Sequence, residues 1–163
     1  MRKSAEPIAI LVADDDADDC MLLREAFTES RLANDLHFVG DGQELMDYLC
    51  HRGRYTDPAS APRPGLILLD LNMPGKDGRE ALEEIKADPH LRQIPIVVLT
   101  TSQAEEDIYR SYDLGVNSYI TKPVTFESLV DIVQMLRRYW FEIVELPLER
   151  QPPQKVRDDT GGN

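Results

Sequence analysis

The chain has 163 residues and carries 18 Lys and Arg against 30 Asp and Glu, a formal net charge of -12. This length predicts one domain with a short surplus and excludes a multidomain enzyme, and the negative charge disfavours binding to nucleic acid or to an anionic membrane surface. The two cysteines, Cys20 and Cys50, match no metal or disulfide pattern, and the sequence shows neither a signal peptide nor a membrane-length apolar run. We therefore expect a globular, cytoplasmic protein.

Five short apolar runs alternate with amphipathic segments along the chain. Runs without polar alternation are typical of strands that are buried on both faces of a parallel sheet. The alternation predicts an α/β fold with right-handed crossovers and with helices on both faces of the sheet. The predicted strands are residues 8–13, 36–39, 66–69, 96–99 and 118–120, and the predicted helices are residues 17–29, 43–50, 79–87, 105–114 and 126–141.

Two segments do not fit this alternation. Residues 52–64 contain three prolines and are longer than the usual connections of α/β units. They are predicted to form a solvated loop, with a mobile flap or a partner-binding surface as the alternatives. Residues 151–163 are rich in Pro and Gly and are predicted to be a disordered tail.

Five aspartates crowd into positions 14 to 19, directly after the first predicted strand. Helix capping explains Asp16, Asp18 and Asp19, because Asp is favoured at the N-cap and in the first turn of a helix. Capping does not explain Asp14 and Asp15, whose adjacent charges cost free energy unless a cation or a proton relieves them.

Further polar residues follow the other predicted strands. Asp70, Thr100 and Lys122 each stand at or just beyond a strand end. The functional crevice of an open parallel sheet lies outside the carboxyl ends of its strands, so we expect these residues to meet Asp14 and Asp15 there. Three carboxylates at one edge would form an oxygen cage suited to Mg²⁺. Taken singly, Thr100 could cap a helix, Lys122 could be a solvated loop residue, and Asp70 could form a turn.

This combination of residues resembles the receiver domain of two-component response regulators. The resemblance is carried by Asp14-Asp15, the run Asp70-Leu71-Asn72-Met73-Pro74-Gly75-Lys76-Asp77-Gly78, Thr100, Tyr119 and Lys122-Pro123. It covers about residues 7–140, which form the predicted receiver domain. The resemblance implies a flavodoxin-like, doubly wound sheet of five parallel strands in the order 2-1-3-4-5.

The resemblance also implies a phosphorylation site and a metal site. Asp70 would accept a phosphoryl group from a phosphohistidine of a sensor histidine kinase. Asp15, Asp70 and the backbone carbonyl of Asn72 would bind Mg²⁺ directly, and Asp14 would act through water.

Other residues of the resemblance would bind the phosphoryl group or respond to it. Lys122 would pair with the acyl phosphate, and Thr100, aided by the backbone N–H of Thr101, would bind a phosphoryl oxygen. Tyr119 would be the switch aromatic that rotates behind Thr100, with simple apolar packing as its alternative. The peptide bond between Lys122 and Pro123 is expected to be cis, which is affordable only before proline.

Only 23 residues follow residue 140, too few for a DNA-binding or enzymatic output domain. The last predicted helix has two apolar stripes, one with Leu129 and Val133 and one with Ile132 and Met135, and a second apolar face favours a contact outside the domain. We expect a homodimer through this helix and through an arm at residues 141–150; packing of the arm on its own domain is the alternative. The predicted interface residues are Phe126, Ile132, Met135, Tyr139, Trp140 and Phe141.

A narrower resemblance concerns the partner. The loop of residues 52–64, the segment 100–102 and the aromatic run 139–141 are similar to those of small response regulators that partner phytochrome-type histidine kinases.

Two other functions stay open. An aspartate-nucleophile phosphatase of the dehalogenase type is disfavoured because Asn72, not an acid, stands two residues after Asp70. A receiver scaffold that is never phosphorylated is disfavoured because all the motif residues are present.

Overall fold

The computed structural model describes residues 8–138, in which five strands alternate with five α-helices. The strands are β1 (Ile10–Ala13), β2 (Leu36–Val39), β3 (Leu66–Leu69), β4 (Ile96–Thr100) and β5 (Ser118–Thr121). The helices are α1 (Ala17–Glu29), α2 (Gly42–Leu49), α3 (Gly78–Ala87), α4 (Glu105–Leu114) and α5 (Phe126–Leu136). Ten predicted elements are thus confirmed, and residues 139–141 of the predicted last helix lie outside the described residues.

The five strands form one parallel sheet in the order 2-1-3-4-5. This confirms the predicted flavodoxin-like, doubly wound fold. Every residue of β1, β3 and β4 is buried, which explains why these segments show no polar alternation. In the register of the central pair, Ala13 lies beside Leu69, so that the next residues, Asp14 and Asp70, leave the sheet at the same edge.

The helices cover both faces of the sheet, and the sheet separates the core into two clusters. Helices α2 and α3 supply side chains to one cluster, and α1 and α5 supply them to the other. On α5 the inward residues are Leu129, Val133 and Leu136. Phe126, at the start of α5, is exposed and lines a groove with Leu22 and Val124 instead.

Hydrogen bonds anchor the end of the connection from α2 to β3 to the domain. The connection contains a short 3-10 helix, Gly53–Tyr55. Ala61 is fully buried, and its carbonyl lies 2.9 Å from Nε2 of His51. The Tyr48 hydroxyl donates to the carbonyl of Pro62 at 2.8 Å. Residues 52–54, 56–60 and 63 are exposed, which confirms the predicted solvated loop for most of residues 52–64. Ala61 and Pro62 are exceptions, because Tyr48 and His51 bind their backbone carbonyls.

Several sequence predictions concern residues outside the range 8–138. The arm at residues 141–150, the tail at residues 151–163 and the interface residues Tyr139, Trp140 and Phe141 lie outside the described residues. Within residues 8–138, no helix has the length and apolarity needed to cross a membrane.

Candidate functional site

The carboxyl edge of the sheet brings the predicted residues into one crevice. Asp14 follows β1, Asp70 follows β3, Thr100 ends β4 and Lys122 follows β5. Backbone hydrogen bonds continue the strand ladder into this edge. The N–H of Asp70 donates to the carbonyl of Ala13 at 2.9 Å, and the N–H of Lys122 donates to the carbonyl of Thr100 at 2.8 Å. Residues that are far apart in the sequence become neighbours because parallel strands end together.

Asp70 is only 5% exposed, and both of its carboxylate oxygens have partners. Oδ1 accepts from the Thr100 hydroxyl at 2.7 Å and from the Asn72 backbone N–H at 3.0 Å. Oδ2 accepts from Nζ of Lys122 at 2.9 Å. A buried carboxylate costs free energy unless it is paired and hydrogen-bonded. These donors supply the pairing and fix the position of the Asp70 oxygens.

Lys122 is surrounded by three carboxylates. Its Nζ lies 2.8 Å from Asp14, 2.7 Å from Asp19 and 2.9 Å from Asp70. Burial alone would lower the pKa of the Lys122 ammonium, but the hydrogen bonds to the three carboxylates outweigh it and raise the pKa above its usual range. Lys122 is therefore a permanent cation in this crevice.

Lys122 reaches these carboxylates from a trans backbone. All peptide bonds within residues 8–138 are trans, so the prediction of a cis bond between Lys122 and Pro123 is wrong. The long side chain of lysine spans the distance without it.

Asp19 is a site residue that the sequence analysis assigned only to helix capping. The cap of α1 is Asp16, whose carboxylate accepts from the backbone N–H groups of Asp18 and Asp19. The Asp19 carboxylate turns to Lys122 instead. A signal was present in the sequence, because Asp19 lies four residues before the buried Leu23 and so shares the inward face of α1.

Asp14, Asp15 and Asp70 form a cluster with the composition of a divalent-cation site. One carboxylate oxygen from each lies within 4.8 Å of the others. Oxygen ligands of this kind suit hard divalent cations. Burial raises the pKa of Asp14, and hydrogen bonding to Lys122 only partly opposes this. A cation would relieve the repulsion among these carboxylates, so the residues fit such an ion.

Tyr119 holds the segment that follows β4. Its hydroxyl donates to the carbonyl of Ser102 at 3.0 Å, and its half-buried ring packs against the core cluster under α2 and α3. Burial raises the pKa of the Tyr119 hydroxyl. Thr101 is exposed, and its hydroxyl accepts from the side-chain amide of Asn72 at 3.4 Å. Thr100 and Thr101 thus lie together at the end of β4 beside Asp70, and Tyr119 holds the segment that follows them from β5.

Arg79 is a second residue that the sequence analysis did not assign. Its guanidinium donates to both carboxylate oxygens of Asp107 and to the side-chain oxygen of Asn72, the last at 3.2 Å. The Ser102 hydroxyl donates to the same Asp107 carboxylate at 2.6 Å. This network connects the loop after Asp70 with the loop after Thr100. No motif reveals it, because Arg79 and Asp107 are 28 positions apart.

Comparison with known proteins agrees with this geometry. Residues 10–134 match the family described as response regulator receiver domain. The response regulator Rcp1 of Synechocystis sp. is 44% identical over 145 residues, which cover 89% of this chain and 97% of that protein. The crystal structure of the phosphorylated cyanobacterial phytochrome response regulator RcpA is similar with a TM-score of 0.77 and 46% identity, covering 85% of this chain and 96% of that one. The Mn²⁺-bound form of Rcp1 is similar with a TM-score of 0.75 and 44% identity, covering 83% and 96%.

Proposed function

The chain belongs to the response regulator receiver family, and on this premise we propose that Asp70 accepts a phosphoryl group from the phosphohistidine of a sensor histidine kinase. One observation supports the proposal above all others. The buried Asp70 carboxylate lies between the Thr100 hydroxyl, at 2.7 Å, and the Lys122 ammonium, at 2.9 Å, beside two further carboxylates that could hold a cation.

The chemistry is a transfer between two protein side chains. An oxygen of Asp70 forms a bond to phosphorus while the phosphorus–nitrogen bond of the phosphohistidine breaks. The imidazole nitrogen keeps the electron pair of the broken bond, and the released ring takes up one proton from solvent. A carboxylate is a weak nucleophile, so the rate depends on positioning and on neutralising the charge of the phosphoryl oxygens.

Three residues of this chain would perform that positioning and neutralisation, and a fourth would respond to it. Lys122 pairs with the acyl phosphate, and Thr100 donates its hydroxyl to a phosphoryl oxygen, with the backbone N–H of Thr101 beside it. When Thr100 turns toward the phosphoryl group, Tyr119 moves into the space behind it and changes the surface around β5. The bond from Tyr119 to Ser102 supports this role, since it links the aromatic ring to the segment that would move.

We assign Mg²⁺ to the carboxylate cluster. Asp15, Asp70 and the backbone carbonyl of Asn72 would bind it directly, and Asp14 would bind it through water. The bound ion supplies positive charge to the phosphoryl oxygens. The oxygen-only composition of the cluster supports the assignment, because Mg²⁺ prefers such ligands and keeps several waters.

The proposed partner is a phytochrome-type histidine kinase in the cytoplasm, where kinases of this class use ATP to form the phosphohistidine. The similarity to RcpA, a cyanobacterial phytochrome response regulator, supports this partner. The net charge of -12 agrees with signalling to proteins rather than to nucleic acid or membranes. A phosphotransfer profile against candidate kinases tests the assignment, and preference for a kinase without a phytochrome sensor would contradict it.

We further propose a homodimer through α5 and the following segment, with Tyr139, Trp140 and Phe141 in the contact. Met135 is 49% exposed, whereas the partly buried Ile132 packs against the core cluster under α1 and α5. Burial of the apolar Met135 side chain against a second copy of the chain would stabilise the dimer. Sedimentation of Trp140→Ala and of Met135→Ala tests the dimer, and unchanged dimers would contradict it.

The chain is not expected to turn over free phosphate esters. A phosphatase of the dehalogenase type has a second acid two residues after its nucleophile, and Asn72 stands there, hydrogen-bonded to Arg79. Multiple turnover of a phosphomonoester would contradict this expectation.

Incubation with Mg²⁺ and a small phosphodonor such as acetyl phosphate tests the central proposal. The wild-type chain should gain one acid-labile phosphate. Asp70→Asn should gain none, whereas Asp57→Asn, a control that removes an exposed aspartate of the loop before β3, should be labelled like the wild type. Full labelling of Asp70→Asn would contradict the proposal.

A further inference from the structure

Lys122 binds three carboxylates, and one of them stands outside the cation cluster. Asp14 and Asp70 belong to the cluster of oxygens that fits a divalent ion. Asp19 does not, yet its carboxylate oxygen is 2.7 Å from Nζ of Lys122, the shortest of the three distances. An ammonium group has three N–H donors, so each carboxylate can accept one.

The position of Asp19 is fixed by the first turn of α1. Its backbone N–H donates to Asp16 at 3.1 Å, in the capping arrangement that starts the helix. One turn further along, Leu23 is buried and anchors the same face of α1 against the sheet. The Asp19 carboxylate is therefore presented to Lys122 by a helix that does not depend on the loops around Asp70.

A cation and Lys122 would share the carboxylates of Asp14 and Asp70. A divalent ion in the cluster needs the carboxylates of Asp14 and Asp70, which Lys122 binds at 2.8 and 2.9 Å. The Lys122 side chain is only 13% exposed, so an ammonium that gives up these partners in its present position is shielded from solvent. A buried charge without a partner is unfavourable. Lys122 therefore needs another carboxylate before it can release the cluster.

We propose that Asp19 is a positioning residue, which retains the Lys122 ammonium while a cation takes over Asp14 and Asp70. Asp19 thereby strengthens cation binding, although it is not a ligand. It also keeps Lys122 beside Asp70, where the ammonium meets the phosphoryl group. This second consequence rests on the proposed function, whereas the first needs only the cation site.

Isothermal titration of the full chain with Mg²⁺ tests the inference. Asp19→Asn should weaken the binding of Mg²⁺ about three- to tenfold, the range expected for coupling between neighbouring groups. Asp18→Asn is the matched control. It makes the same charge change on the same helix turn, but the Asp18 carboxylate has no hydrogen bond or ion pair within residues 8–138. It should weaken binding by less than about twofold.

A double-mutant cycle shows whether Asp19 acts through Lys122. In a Lys122→Ala background, Asp19→Asn should change the Mg²⁺ affinity no more than Asp18→Asn does. Equal effects of the two aspartate variants in the wild-type background would overturn the inference, and so would an undiminished effect of Asp19→Asn without the lysine. Asp19→Gln serves the same comparison should Asp19→Asn fail to fold.

The outcome is independent of the test of the phosphoacceptor. A chain whose Asp70 is not labelled by acetyl phosphate would contradict the proposed function and leave the titrations interpretable. Equal Mg²⁺ affinities of the Asp19 and Asp18 variants, with normal labelling of Asp70, would contradict only the role of Asp19.

Discussion

Arg79 binds Asp107 through two hydrogen bonds, each 2.7 Å long, from Nε and Nη2 to the two carboxylate oxygens. The pair joins the first turn of α3 to the first turn of α4. Asp107 is only 9% exposed and also accepts from the Ser102 hydroxyl. The segment after β4, which directly follows the predicted switch residue Thr100, is therefore bound to the helix that follows the Asp70 loop.

Arg79→Ala should lower the free energy of unfolding by about 1–2 kcal/mol, because a two-pronged, partly buried ion pair is worth more than an exposed one. Urea denaturation measures the loss. Arg110→Ala is a matched control, since Arg110 also pairs across α3 and α4, with Glu83, but both side chains are more than half exposed. Arg110→Ala should lower the free energy of unfolding by less than about 0.5 kcal/mol. Equal losses for the two variants would contradict the importance of the Arg79 pair.

Asp107 should contribute to stability in a pH-dependent way. The hydrogen bond from Arg79 holds the pKa of Asp107 below its usual 3.8, against the opposing effect of burial. A carboxylate whose pKa is lowered by folding stabilises the protein above its unfolded pKa, and this stabilisation is lost as the pH falls through the folded pKa.

Asp107→Asn should therefore be less stable than the wild type at neutral pH, and the difference should shrink as the pH falls below 3.8. Urea titrations across this pH range measure it. Asp113→Asn, on an exposed position of the same helix, serves as the control and should show no such trend. A constant difference for Asp107→Asn at all pH values would contradict the assignment.

Gly78 should not tolerate a side chain. A Cβ atom at this position would overlap the carbonyl oxygen of Asp70 and lie 2.7 Å from Cα of Leu71. Gly78→Ala should thus displace the start of the Asp70 loop and cost about 1–3 kcal/mol of stability. At Gly40, by contrast, the nearest atom to a new Cβ is Oε1 of Glu44, at 3.7 Å. Thermal unfolding should show a clearly lower midpoint for Gly78→Ala than for Gly40→Ala, and equal midpoints would refute this packing.

The two thiols should differ in reactivity. Burial, together with the nearby Asp14 charge, raises the pKa of Cys20 to about 11, whereas Cys50 is exposed. Alkylation requires the thiolate, so at pH near 8 Cys50 should react at least about tenfold faster than Cys20. Iodoacetamide labelling of Cys20→Ser and Cys50→Ser measures each thiol separately. Similar rates for the two variants would contradict the burial of Cys20.

The sequence predicted the fold because apolar runs and strand-end residues are local signals. Each central strand reads as an unbroken apolar run, and Asp70 and Thr100 follow directly from where such runs end. The Arg79–Asp107 pair could not be predicted in this way, because it depends on how two helices lie across a loop. Asp19 was assigned to capping because its role depends on the reach of Lys122, a residue 103 positions away.

Phosphorylation of Asp70 is the central claim, and chemical mapping of the modified residue tests it most directly. Borohydride reduction converts an aspartyl phosphate into an alcohol, which marks the residue in a peptide map. After incubation with Mg²⁺ and acetyl phosphate, the mark should fall on Asp70 alone. A mark on Asp14, on Asp15 or on any other residue, or a protein that carries no mark, would contradict the account.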